Sequence, residues 1–311
     1  MRWTAADHLA TTERAAPARS PVTTGRWSVR NRTVLVATNG SPESTASVRV
    51  AWDLARVCGA RPTVVRAYYP GPAWIPPLPP AGLTPNQGTL TRDSVYEELR
   101  HAEPESVRWP VRVEAGDAED VIISRARAMD AALIVMGLHK GNPLQRAFGT
   151  ELLLQVVRRS TCPVLATTPA MHAIPARLVV GLDIDAPCVR AVQVAAALAA
   201  DGATFDLVFV DVPHHRATDS LLDEEGHARH VAEAFKCLRE QLTARKDLQV
   251  RTTVLTGVTG DALRTFAMNN NADVVVLGTG QHRFMERLLF GSITARLLHE
   301  ERWSVLAVPP E

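Results

Sequence analysis

The sequence predicts an α/β protein of two repeated doubly wound domains, each a five-stranded parallel sheet with helices on both faces. Three observations predict it. At 311 residues the chain is about twice the usual domain length of roughly 100 to 200 residues. Short runs rich in Val, Ile and Leu alternate with longer stretches of helical spacing, the mark of β-α-β units. The chain also repeats itself. VLVATNGS from Val34 answers to LVVGLDID from Leu178, DAALIVMG from Asp130 to NADVVVLG from Asn271, and CPVLATTP from Cys162 to WSVLAVPP from Trp303. These landmarks recur in one order at nearly constant offset, which divides the chain into residues 33–170 and 175–311 and leaves 1–32 as a flexible tail.

Taken in order, the first copy places strands near Val34, Thr63, Val111, Leu133 and Val164. The second places them at Leu178–Leu182, Phe205–Val210, Val250–Leu255, Val274–Gly278 and Val305–Val308. Unbroken apolar runs such as VVVLG suit central strands covered on both faces. Between Pro187 and Ala200, Val189, Val192, Ala196 and Ala199 fall on one stripe at steps of three and four, so a helix there faces the sheet. Thr259-Gly260-Asp261 opens another helix with residues that cap well and favour the positive end of its dipole. In the second crossover the copies differ. The first carries seven prolines between Pro70 and Pro85 around Trp74, read as a rigid extended loop, where the second has a charged helix over Leu221–Arg245.

Composition narrows the function classes. A formal net charge of +1 gives no field to draw the chain to nucleic acid or to an anionic membrane. The most apolar stretch, Ala191–Ala200, is broken by Gln193 and falls short of the roughly 20 residues that cross a bilayer. Met1–Arg32 has no apolar h-region of a secretory signal. Cys58, Cys162, Cys188 and Cys237 form no C-x-x-C pair and read as reduced thiols of a cytoplasmic protein. His214, His215, His227 and His230 read as a solvated surface rather than a zinc site, and no metal site is expected. No G-x4-G-K-[ST] loop occurs, and no catalytic triad can be assembled from order or context.

The repeated pattern resembles the universal stress protein family in tandem form, from Thr33 to Pro310. The family motif is an Asp closing strand one, then Gly-x2-Gly-x9-Gly-Ser/Thr from the end of strand four into the last helix. In the second copy Asp183, Gly278, Gly291 and Ser292 fill these places, and Gln281 stands at the second glycine. Glycines allow positive φ and close approach of a phosphate to main-chain N–H groups, and a helix opening at Gly291-Ser292 adds free N–H groups and a partial positive charge. Asp183, as an ionised carboxylate, can accept from a purine amino group. The resemblance further implies strand order 3-2-1-4-5, a crevice at the ends of strands one and four, main-chain contact with adenine around Val210, and phosphate held by the N–H of Ile293.

The first copy departs further from the motif. Asn39 replaces the Asp, presenting both a donor and an acceptor. From Gly137 to Gly149 the loop is one residue shorter than its partner, with Lys140 at the second-glycine place and Pro143 removing an N–H, while Gly149 and Thr150 are read as opening the last helix. Whether this copy holds nucleotide stays open. The implied function is binding of ATP or a related adenine nucleotide, mainly in the second copy, by a regulatory or stress-response switch that meets an unidentified protein partner. Whether Mg²⁺ accompanies the nucleotide stays open. The alternatives are a nucleotide-free interaction scaffold and a slow ATPase. The last strands are expected at sheet edges, where the two copies can pair within one chain or build a homodimer.

Overall fold

Runs such as Val34-Leu35-Val36 and Val274-Val275-Val276 offer water no polar side chain, so they are stable only with both faces covered. The computed structural model describes residues 27–40, 44–68, 87–138, 143–183, 189–212, 224–279, 297 and 302–310, with 87–89, 143–150 and 224 in backbone only. In it these runs are central strands. The first half contains β1 (Thr33–Ala37), α1 (Thr45–Cys58), β2 (Arg61–Tyr68), α2 (Gln87–Ala102), β3 (Val111–Ala115), α3 (Ala118–Ala128), β4 (Leu133–Gly137), α4 (Pro143–Arg159) and β5 (Val164–Thr167). The second contains β6 (Arg177–Leu182), α5 (Val189–Leu198), β7 (Thr204–Asp211), α6 (Glu224–Glu240), β8 (Gln249–Thr256), α7 (Thr259–Asn269), β9 (Val274–Gly278) and β10 (Ser304–Val308).

All ten strands join one sheet, ordered β3-β2-β1-β4-β5-β10-β9-β6-β7-β8. Each half therefore has the order 3-2-1-4-5 that the resemblance implied. Pairing is parallel within each half. At the seam β5 and β10 run antiparallel, with Val305, Leu306 and Ala307 opposite Ala166, Leu165 and Val164. Each half thereby covers the other's last edge strand, and the outer edges of the sheet fall to β3 and β8, whose side chains are the most exposed of any strand.

One apolar core lies on the face covered by α1, α5 and α6, joining Val50 and Leu54 to Ala195, Leu198 and Leu238 across the two halves. Another lies under α3, α4 and α7 and includes Ile122, Leu153 and Leu263. Gly181 on β6 makes room for α7: a Cβ there would meet Leu263 Cδ1 and Leu277 Cδ2 at 3.1 Å. A third, smaller core joins α1 and α2 through Val48, Ala51, Val95 and Leu99.

Several sequence expectations need correction. The tail assignment reached residue 32, yet Val29 is buried, Trp27 packs against the core and Asn31 donates to the Gly59 carbonyl at 2.8 Å. Residues 1–26 and the prolines from Pro70 to Pro85 lie outside the described residues. The first half has its own crossover helix, α2, because Val95, Leu99 and Ala102 form a buried stripe at steps of four and three. Thr259 does not cap α7: Val258 stands at the N-cap in extended conformation without a side-chain bond, and Asp261 in the first turn keeps the favourable dipole charge. The charged helix ends earlier than expected, at Glu240. Among the described residues no helix is long and apolar enough to cross a membrane.

Candidate functional site

The site is set by the point where crossovers leave a strand in opposite directions. In the second half the chain moves from β6 outward to β7 and β8, then returns to β9 on the other side. Doubly wound sheets open a crevice beyond the carboxyl ends of the two strands at such a reversal. Here those strands are β6 and β9. The register pairs Leu182 with Phe209 and Gly181 with Leu277, so Asp183, Val210 and Gly278 lie on three adjacent strand ends at one edge of the sheet.

Asp183 follows the last residue of β6 and is exposed, while the Val210 side chain is buried and leaves its main chain at the strand end. Gly278 is exposed, and a Cβ added there would meet nothing within 4 Å. Gly278 is not in the left-handed region, so positive φ is not what calls for glycine here. Its use is open space in front of the main chain. Gln281, Gly291, Ser292 and Ile293 lie outside the described residues.

Beside the crevice the sequence reading missed Asp211. This buried carboxylate ends β7, and His227 on α6 brings Nε2 to 3.8 Å from its Oδ2 while its ring lies near Phe209. Among the described residues no group of three or more His, Cys, Asp or Glu side chains is gathered to hold a metal. His214 and His215 lie outside the described residues.

In the first half the equivalent positions follow from the same register. Val34 lies between Pro62 and Leu133, as Leu178 lies between Phe205 and Val274. Counting along the strands, Asn39 matches Asp183, Thr38 matches Leu182, and Arg66 matches Phe209. Gly137 ends β4 beside Thr167, and Lys140 lies outside the described residues. Gly149 and Thr150 do not open the last helix. They sit inside α4, which starts at Pro143, a residue whose fixed φ and missing N–H suit a first helical position. Main-chain N–H groups that far into a helix are committed to carbonyls four residues back, so they form no free helix end.

The chemistry of the first half is dominated by Glu98 of α2. Its carboxylate is buried and accepts from the hydroxyl of Thr38 and from Ser44 Oγ at 2.5 Å. Ser44 Oγ also lies 3.2 Å from Asn39 Oδ1, and the Gly40 N–H points to Thr38 Oγ1 at 3.0 Å. Arg66 stands beside this cluster with Nη1 3.4 Å from the Thr38 carbonyl oxygen, while its buried Nε has no hydrogen-bond partner among the described residues. Burial pushes the Glu98 carboxyl above the ordinary value of 4.5, opposed by the Ser44 and Thr38 hydroxyls, the Arg66 charge and the Gly40 N–H. Burial likewise lowers Arg66, with Glu98 opposing. The signal was present in the sequence: Glu98 occupies the same stripe as Val95, Leu99 and Ala102, an acid among core positions.

Comparison with known proteins agrees with this architecture. A family model described as the universal stress protein family matches residues 30–168 and again 176–309. A universal stress protein from Methanocaldococcus jannaschii is 32% identical over 88 residues, 28% of this chain and 48% of that protein, so the match spans about half the length of that curated relative. Among solved structures, a universal stress protein from Archaeoglobus fulgidus superimposes with a TM-score of 0.61 at 16% identity, covering 91% of this chain and 98% of that one. A functionally unknown protein from Pseudomonas aeruginosa gives 0.59 at 19%, covering 90% and 93%. At these identities the structural likeness speaks for the fold.

Proposed function

Since this chain belongs to the universal stress protein family, we propose that it binds ATP or a related adenine nucleotide in its second half and acts as a regulatory switch. The observation that carries this reading is the convergence of Asp183, Val210 and Gly278 on adjacent strand ends at the reversal of the sheet. In this reading the Asp183 carboxylate accepts from the exocyclic amino group of adenine. Guanine carries a carbonyl oxygen at the corresponding position and would face the carboxylate with like partial charge, so the same residue selects the base. The Val210 main chain meets the purine edge, and the open space at Gly278 lets phosphates approach backbone N–H groups. Gln281, Gly291, Ser292 and Ile293 complete the phosphate end in this proposal. The switch works through a protein partner that binds the loaded and empty forms unequally, since only differential affinity moves such an equilibrium.

The test is mass analysis of small molecules released from the full chain purified without added ligand. An adenine nucleotide in substoichiometric or stoichiometric amount is the expected result. Release of none, together with no uptake on incubation with ATP, would leave the scaffold reading in its place.

A further inference from the structure

We infer that the first half is closed to nucleotide by its own Glu98, so that the chain takes one nucleotide, in the second half. This rests on the nucleotide reading above and adds to it which residue restricts the stoichiometry. The groups that would meet a ligand at the end of β1 are already engaged. The Thr38 and Ser44 hydroxyls both donate to the Glu98 carboxylate, the Gly40 N–H donates to Thr38 Oγ1, and these groups surround Asn39, the residue matching Asp183. The carboxylate thus sits as an internal anion where donors for an external one would be needed.

Among the described residues, the second half differs at the counterparts of two parts of this arrangement. Leu182 replaces Thr38 and Phe209 replaces Arg66, and neither side chain can hold a carboxylate. Its crossover helix α6 brings His227 toward Asp211 instead. Two further features act in the same direction in the first half. A buried carboxylate repels incoming phosphate, because charges taken out of water are weakly screened. The last helix starts at Pro143, so Gly149 and Thr150 present no free helix end to phosphate. Arg66 offsets part of the carboxylate's charge, with its Nη1 3.4 Å from the Thr38 carbonyl oxygen.

The experiment uses the full chain with radiolabelled ATP in equilibrium dialysis, and in parallel the ¹⁵N amide resonance of Gly40. One nucleotide per chain is expected at saturation, abolished or weakened at least ten-fold by Asp183→Ala, and a second, weaker equivalent is expected on Glu98→Gln. The Gly40 amide is expected to move on Glu98→Gln and to stay put when ATP is added. Two nucleotides per chain in the parent protein, a single nucleotide in Glu98→Gln, or a Gly40 resonance of the parent that follows ATP would overturn the inference. If no form binds ATP, the reading of the second half fails by itself. Gly40 then decides the clasp alone: a resonance unchanged by Glu98→Gln overturns it, and a displaced one upholds it.

Discussion

Asp183 and Asn39 hold matching places at the ends of β6 and β1, and the exchange of a carboxylate for an amide alters what each end can recognise. A carboxylate only accepts, whereas an amide also donates, so only Asp183 discriminates sharply between a base edge that donates and one that accepts. The first half carries its carboxylate elsewhere, on Glu98, and there the proton balance has a measurable consequence. Burial holds the folded Glu98 carboxyl above the ordinary value of 4.5. The folded state therefore keeps this proton more tightly than the unfolded chain. Stability from the neutral form is full below 4.5 and is lost as pH rises through the elevated folded value. Glu98→Gln resembles the protonated side chain in shape and cannot ionise. It is expected to gain stability over the parent as pH increases, with little difference in acid, as read from denaturant midpoints at acidic, neutral and mildly alkaline pH. A difference that does not vary with pH would show that the Glu98 carboxyl keeps an ordinary value.

Among elements, β5 and β10 have the largest structural burden, because their antiparallel pairing makes one sheet of two. Leu165 and Leu306 face each other across it, both almost wholly buried. Leu306→Ala is expected to cost about 2–5 kcal/mol, as for other large-to-small core changes, and to lower the unfolding midpoint of the full chain in denaturant. A loss below about 1 kcal/mol would mean that the seam relaxes around the cavity instead of holding its shape. The strands were the most legible elements, since a run like Val274–Leu277 has one physical use in a folded chain. The helices were less so. The α2 stripe is hard to read in the sequence because seven prolines precede it and an acid, Glu98, interrupts its apolar face. For α4, Gly149-Thr150 matches the spacing of a motif, while Pro143, six residues earlier, is the better local signal for a helix start. The N-cap of α7 was assigned to Thr259 by residue type, and the backbone gave that place to Val258. Asp183 was legible as a strand-end acid, but the Asp211–His227 approach joins residues of different elements, which no local pattern reveals.

At the scale of the whole molecule, the two copies are built into one body. The cores on both faces of the sheet include residues of both halves, so the first half supports the second through shared packing whatever it binds. Arg190 of α5 adds polar links across the seam, with Nη2 3.5 Å from the Thr161 carbonyl oxygen. Cys58 and Cys162 are at least partly buried, and with the exposed Cys237 they are free thiols. Burial raises the first two thiols, which keeps them protonated and poorly reactive near neutral pH. The proposed nucleotide site lies at the ends of β6, β7 and β9. Calorimetric titration of ATP into the full chain and into Asp183→Ala tests that claim most directly. Saturable binding is predicted, weakened in the variant by roughly ten-fold or more, in line with about 1.5–3 kcal/mol for a hydrogen bond to a charged group. Equal affinity in the two proteins would contradict it.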